Sequence, residues 1–200
     1  MRPPVPEPLK RFVWDIQSMV ELAEGEREIL LIGRDLMSRL VAERGFLPEG
    51  FAAPGADGPR HYLLYVDGME RFCVAASVYA PGQGEKVARH PFWEICGVLG
   101  GALARRRFSQ GAGALEPRGA GKRFETGAVD AVFSRDREAV EEGEAGGEGA
   151  RVIRVFGGDP GKAGRVLPGA EGETPAPFHW ANAGDWPPYD IFAIQTKIKD

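Results

Sequence analysis

Three histidines, His61, His90 and His179, and two cysteines, Cys73 and Cys96, are the side chains of this 200-residue chain best suited to metal or thiol chemistry. The stretch PGQGEKVARHPFWEICGVLGG, residues 81–101, has the glycine and proline punctuation of a metal-binding β-barrel turn. Where such a turn should carry two histidines it has one, His90, and Ala88 stands two residues before it. Glu94 follows His90 by four residues, and with a second carboxylate such as Glu138 a site of one imidazole and two carboxylates suits Mn(II), Fe(II) or Zn(II). The cysteines read as free core thiols, because no export signal accompanies them and neither sits in a CxxC motif.

Two helices open the chain. Leu9, Phe12, Val13, Ile16, Met19 and Val20 recur at three- and four-residue spacing, which predicts a helix over 8–24. Ile29, Leu30, Leu36, Met37, Leu40 and Val41 predict a second over 26–44, with Gly45 as its stop. From Gly50 onward the character changes, and most of the 28 Gly and 16 Pro punctuate short runs rich in Val, Ile, Phe and Tyr. Candidate strands are 61–66, 71–79, 86–90, 93–103, 128–133 and 151–158, a pattern of short strands without intervening helices that belongs to a sandwich or barrel. The acidic, glycine-rich segment 135–150 reads as a solvated, mobile loop.

Bulk properties bound the rest. A chain of this length fits one domain, and 43% hydrophobic with 27% charged residues is the balance of an ordinary soluble protein. A net charge of −4 supplies no attraction to nucleic acid or an anionic membrane surface. MRPPVPEPLKRF lacks the apolar core of a signal peptide, and no segment approaches ~18 consecutive apolar residues, so a cytoplasmic location is expected.

PEPLKRFV at 6–13, YLLYVDGMERFCV at 62–74, PGQ at 81–83, HPFWEICGVLGG at 90–101 and TPAPF at 174–178 come in an order and spacing that resemble the cysteine dioxygenase and 3-mercaptopropionate dioxygenase group of cupins. The resemblance spans about residues 7–182. It implies a mainly β fold, a cupin double-stranded β-helix (jelly-roll) barrel with two N-terminal α-helices. The expected divisions are a helical segment over 1–46, the barrel over 47–170 and an irregular C-terminal wrap over 171–200. In such enzymes three histidines hold ferrous iron, and a thiol substrate with O₂ becomes a sulfinate.

Measured against that pattern, the ligand positions are substituted. The His-x-His pair, which period-2 geometry points to one side of a strand, falls on Ala88 and His90, and the third ligand falls on or near Glu138. The family's Ser-x-His-x-Tyr triad falls on Val152, Arg154 and Phe156, which cannot reproduce its hydrogen bonds. Without a phenol at Phe156, a crosslink from Cys96 is not expected. His61 lies near the family's contact to the substrate carboxylate, so His61 and Arg154 are the candidate substrate-binding residues. Arg154 either pairs inside the barrel with Glu94 and Glu138, supplying the charge that iron would supply, or snorkels to solvent. His90, likewise, is either a metal ligand or a hydrogen-bonded barrel histidine.

The functional expectation is a cysteine dioxygenase-like cupin without the three-histidine iron site, inactive or reassigned as a dioxygenase, with a small molecule in the barrel as a possible ligand. The alternatives are a metal-dependent cupin oxidoreductase using Fe(II) or another divalent transition metal on His90, Glu94 and Glu138, and a non-enzymatic interaction scaffold. The aromatic tail, with Trp180, Trp186, Tyr189 and Phe192, holds too much apolar area to leave in water, so it wraps the barrel or joins a homodimer interface. His179 within it reads as a surface or packing residue.

Overall fold

A computed structural model describes residues 4–111, 114–169, 172–184 and 189. Helices α1 (Glu7–Leu22) and α2 (Glu26–Ala42) form over the two predicted apolar stripes and end within two residues of the expected limits. Pro8 at the start of α1 costs nothing, because the first turn has no intrahelical acceptor for its missing N–H. Leu9, Val13 and Ile16 are fully buried in the larger core, so α1 is held by its stripe packing against α2 and that core rather than by propensity alone.

Among the described residues eleven strands follow: β1 (Arg60–Val66), β2 (Cys73–Tyr79), β3 (Gly84–Ala88), β4 (Glu94–Gln110), β5 (Leu115–Pro117), β6 (Lys122–Glu125), β7 (Val129–Val132), β8 (Ala139–Glu144), β9 (Ala150–Phe156), β10 (Arg165–Gly169) and β11 (Gly172–Ala176). The larger sheet is antiparallel with path β1-β2-β9-β4-β8-β3, and β5, β6 and β7 also pair with β4. β10 and β11 make a separate ribbon, tied to the strand-3 end by a bridge between Arg89 and Val166.

β4 organises the molecule. Its first half pairs with β9 and β7, its second half with β8, β6 and β5, and a register shift between Val98 and Gly100 separates the two. Gly101 next to that shift has φ +76°, and an added Cβ would stand 1.9 Å from the Gly149 carbonyl oxygen, so the bend needs glycine on both counts.

The β1-β2-β9-β4 layer is covered on both faces. Val74, Ala76, Ile95, Ile153 and Val155 belong to the larger core beneath α1 and α2, whereas Tyr79, Cys96, Val98 and Val152 belong to a smaller cluster on the opposite face. That is why β2 is buried at every position, as its apolar run, interrupted only by Ser77, suggests. Both cysteines are buried and free.

The structure alters several expected boundaries. Segment 135–150, expected as a solvated loop, contains β8, and Glu142 within it is buried. β4 continues seven residues past the expected end at 103, through Arg105, Arg106 and Arg107. In both cases charged residues occupy positions that pair across the sheet, with Arg105 opposite Glu142 and Arg106 opposite Glu141. The tail residues Trp186 and Phe192 lie outside the described residues. Asn182 bonds both backbone polar groups of Leu63, the Tyr189 amide donates to the Leu64 carbonyl, and Tyr189 joins the larger core, so this part of the tail covers β1.

Helix α2 approaches β4 closely at Gly97, where an added Cβ would stand 2.7 Å from both Met37 Cγ and Val41 Cγ1. Gly97→Val should therefore destabilise the fold by about 1–3 kcal/mol in urea unfolding. Gly50→Ala, at a position with nothing within 4 Å of the new Cβ, should change stability by no more than about 0.5 kcal/mol.

Candidate functional site

Inward charged side chains of β4, β8 and β9 meet beside the hydroxyls of Ser77 and Tyr79 on β2. Arg154 on β9 lies opposite Ala75 of β2 and Cys96 of β4, and alternation along β9 turns it to the same face as Val152 and Phe156. It is 3% exposed. Its Nη1 donates to Glu94 Oε1, its Nη2 to Glu142 Oε1, and its Nε to Ser77 Oγ at 2.8 Å. Arg105, on the second half of β4, is equally buried. Its Nη2 donates to Glu94 Oε2 at 2.6 Å and its Nη1 to Asp130 Oδ2 at 2.8 Å, while its Nε stands 3.1 Å from Glu142 Oε2 in an ion contact. Glu94, Arg154, Glu142 and Arg105 thus close a ring of alternating charge, two guanidiniums and two carboxylates.

Neutral donors and a further chain of charges extend this ring. Tyr79 OH donates to Glu142 Oε1 at 2.7 Å and accepts from Arg154 Nη2 at 3.1 Å. Arg105 Nη1 also donates to Cys96 Sγ at 2.9 Å. Asp130 passes the chain outward to Arg107 at 2.6 Å, and Arg107 in turn reaches Glu138 at 3.1 Å. On the other side Ser77 Oγ lies 2.8 Å from His61 Nδ1, and His61 Nε2 lies 2.6 Å from Glu85 Oε1.

These contacts place each expected site residue. His90, Glu94, Glu138, Arg154 and Ala88 all line one pocket of about 30 Å³, which opens past the exposed Lys86 and Arg137 and has the volume of roughly one or two water molecules. Arg154 points inward rather than to solvent, and its partners are Glu94 and Glu142, while Glu138 pairs with Arg107 and Arg118 instead. His61 meets Arg154 through their shared contact with Ser77. His90 packs its ring against Phe156 and Phe178 at 4.9 and 5.5 Å, and its Nδ1 is buried without a hydrogen-bond partner. Val152 and Phe156 are buried apolar neighbours of this site, and His179 is exposed.

Arg105, Glu142, Asp130, Ser77 and Tyr79 were not singled out from the sequence. The cross-strand match of the Arg105–Arg107 run with the acidic run at 141 and 142 was the available signal, but it requires knowing that the two segments are adjacent strands.

Burial opposes every charge in the ring and the neighbouring charges decide the outcome. Desolvation would raise the Glu94 carboxyl, but Arg105 and Arg154 overcome it and hold the group down at about 2. Glu85 is likewise held at about 2 against its burial, by its hydrogen bond and charge contact with His61 and by Arg154 and Arg165. Burial lowers the Arg105 and Arg154 guanidiniums less than their carboxylate partners raise them. His90, with no such partner, is pushed down to about 4 by desolvation, and burial pushes the Cys96 thiol up to about 12.

Among the described residues no group of three or more His, Cys, Asp or Glu is placed to hold a metal ion. The donor set explains this chemically. Both oxygens of Glu94 are already committed to guanidiniums, Glu142 Oε1 serves Arg154 and Tyr79, and a dication would have to share the space with two arginine charges. As arranged, these residues do not fit a three-ligand ferrous site.

No protein-family model matches the chain. The cupin domain of Cnp3 from Schizosaccharomyces pombe is 12% identical over 58% of this chain and 74% of its own, with TM-score 0.44. An uncharacterised double-stranded β-helix protein from Klebsiella pneumoniae is 19% identical over 62% of this chain and 96% of its own, with TM-score 0.44. An oxalate oxidase solved with the substrate analogue glycolate is 18% identical over 63% of this chain and 66% of its own, with TM-score 0.48. The architecture is mainly β with two N-terminal helices, and the solved structures it is similar to include a cupin domain and a double-stranded β-helix protein. Among the described residues no helix is long and apolar enough to cross a membrane.

Arg154→Leu leaves two desolvated carboxylates short of a partner and should cost about 3–5 kcal/mol in urea unfolding at pH 7. Adding Glu142→Gln to it should recover part of that loss, so the double variant should be more stable than the sum of the singles implies. Acid should destabilise the protein in two stages. His90 has a folded value below its unfolded one, so the unfolded chain binds the extra proton between pH 6.5 and 4, and stability should fall by about 2 kcal/mol from pH 7 to pH 5. Glu94 and Glu85, with folded values near 2, add their loss only as pH falls from about 4.5 toward 2. His90→Gln should flatten the first stage and leave the second.

Proposed function

We propose that this chain is a cysteine dioxygenase-like cupin in which the carboxylate–guanidinium ring takes the place of the ferrous centre, and that it works as a binding protein rather than as a thiol dioxygenase. The observation that carries this reading is the commitment of both Glu94 oxygens to Arg105 and Arg154, so that a metal beside His90 would have to compete with two guanidiniums for this carboxylate. Two permanent cations fill the role that a metal dication would have in compensating the buried acids. The pocket beside His90 and Glu94, about 30 Å³, is too small for cysteine or 3-mercaptopropionate beside a metal and O₂. In this reading organic ligands belong to the outer surface, and the interior is structural.

A second reading keeps a metal-dependent oxidoreductase, and one feature favours it: the buried His90 Nδ1 has no hydrogen-bond partner and shares its cavity with Glu94, Glu138 and Glu142. Under this reading a divalent transition metal would displace Arg105 or Arg154 from the carboxylates. The two separate by metal analysis of protein purified without chelator, together with oxygen uptake on cysteine and on 3-mercaptopropionate in the presence of added Fe(II). The first reading expects metal far below one per chain and no thiol-dependent uptake. Stoichiometric iron with thiol-dependent uptake overturns it in favour of the second.

A further inference from the structure

A second recess, which shares only Arg105 with the ring, has an imbalance of charge. It has a volume of about 510 Å³ and lies where α2, the second half of β4, β6 and β7 meet, a size in the range of small-molecule sites, about 300–1,000 Å³. Five cationic and three acidic side chains line it, in a protein whose net charge is −4. The acids are already used. Asp130 is held by Arg105 and Arg107, Glu138 by Arg107 and Arg118, and Asp136 stands 3.8 Å from Arg135. Arg34 and Lys122 are exposed and have no ion-pair partner among the described residues, and Arg118 has only the 3.3 Å contact to a carboxylate that Arg107 also engages.

Arg34, Arg118 and Lys122 therefore bring three poorly compensated positive charges to one concavity. Their mutual repulsion is relieved by an anion seated between them, and the arginines can offer it paired N–H donors. Phe124 and Phe133 supply apolar wall in the same recess. A single carboxylate would satisfy one of the three cations. A dianion with several oxygens matches them better, and the phenyl rings suit an apolar body attached to it.

We propose that this recess is a binding site for a phosphate monoester carrying an aromatic or apolar group, with Arg34, Arg118 and Lys122 as its anion-binding residues. The proposal goes beyond the reading of the barrel interior, and neither Arg118 nor Lys122 belongs to the ring.

Calorimetric titration of the full chain tests it, with phenyl phosphate, inorganic phosphate and phenylacetate as probes. Phenyl phosphate should bind saturably, more tightly than either of the others, and more weakly as sodium chloride is raised. Arg118→Gln with Lys122→Gln should weaken that binding by about tenfold or more, whereas Arg39→Gln, an exposed arginine of α2 outside the recess, should leave it unchanged. Absence of saturable binding, or equal affinity in the double variant, overturns the site. Equal affinity for inorganic phosphate overturns the apolar subsite, and tighter binding of phenylacetate overturns the choice of phosphate. Metal content decides the barrel reading separately, so the two proposals stand or fall on different measurements.

Discussion

A charge removed from water must be met by an opposite charge at hydrogen-bonding distance, and this constraint governs the centre of the molecule. Arg154, Arg105, Glu94 and Glu142 are each at most 8% exposed, and any one of them alone would carry a desolvation cost of several kcal/mol. Together they cancel in sign and fill one another's donors and acceptors. Ser77, Tyr79, Asp130 and Cys96 take up guanidinium valences that remain. The arrangement is therefore interdependent: it tolerates replacement of the whole set more readily than loss of one member.

The fold supplies what the ring requires, which is four strands in fixed register. β9 lies between β2 and the first half of β4, and it sets Arg154 beside Ser77, Tyr79 and Glu94. Past the shift near Gly100 the same β4 pairs with β8, bringing Arg105 opposite Glu142. One strand thus contributes Glu94 and Arg105 from its two halves, and the bend at Gly101 lets both reach the same interior. The helices matter indirectly: by covering the other face of this layer they leave it no solvated side, so polar residues there must pair internally.

Much of this was legible from residue order. The stripes of α1 and α2 and the apolar runs of β1, β2 and β9 follow from periodicity, since burial on a helix or strand face repeats with a fixed spacing, whereas the same alternation left Arg154 open between an internal pair and a solvent-facing position. β8 and the far half of β4 were hidden because their inward residues include Glu142, Arg105 and Arg107, so the apolar alternation that marks a strand is absent. An acidic run with glycines has the composition of a solvated loop, and composition alone cannot distinguish a carboxylate facing water from one facing a guanidinium. For the same reason Glu138 was expected beside Arg154 when Glu142, four residues on, is the partner.

What the sequence determined by itself was an inventory: a single histidine in the turn at 81–101, alanine where a second would stand, and arginine with apolar neighbours where a hydrogen-bonding triad would lie. These are facts about which atoms exist, and they already weigh against three imidazoles around one ion. Only the tertiary structure decided what the remaining charges do with one another, because Glu94 and Glu142 are 48 residues apart and meet through strand register. Local propensity sets how a segment folds, but a buried ion pair is defined by distance between segments, and that distance exists only once the sheet has closed around it.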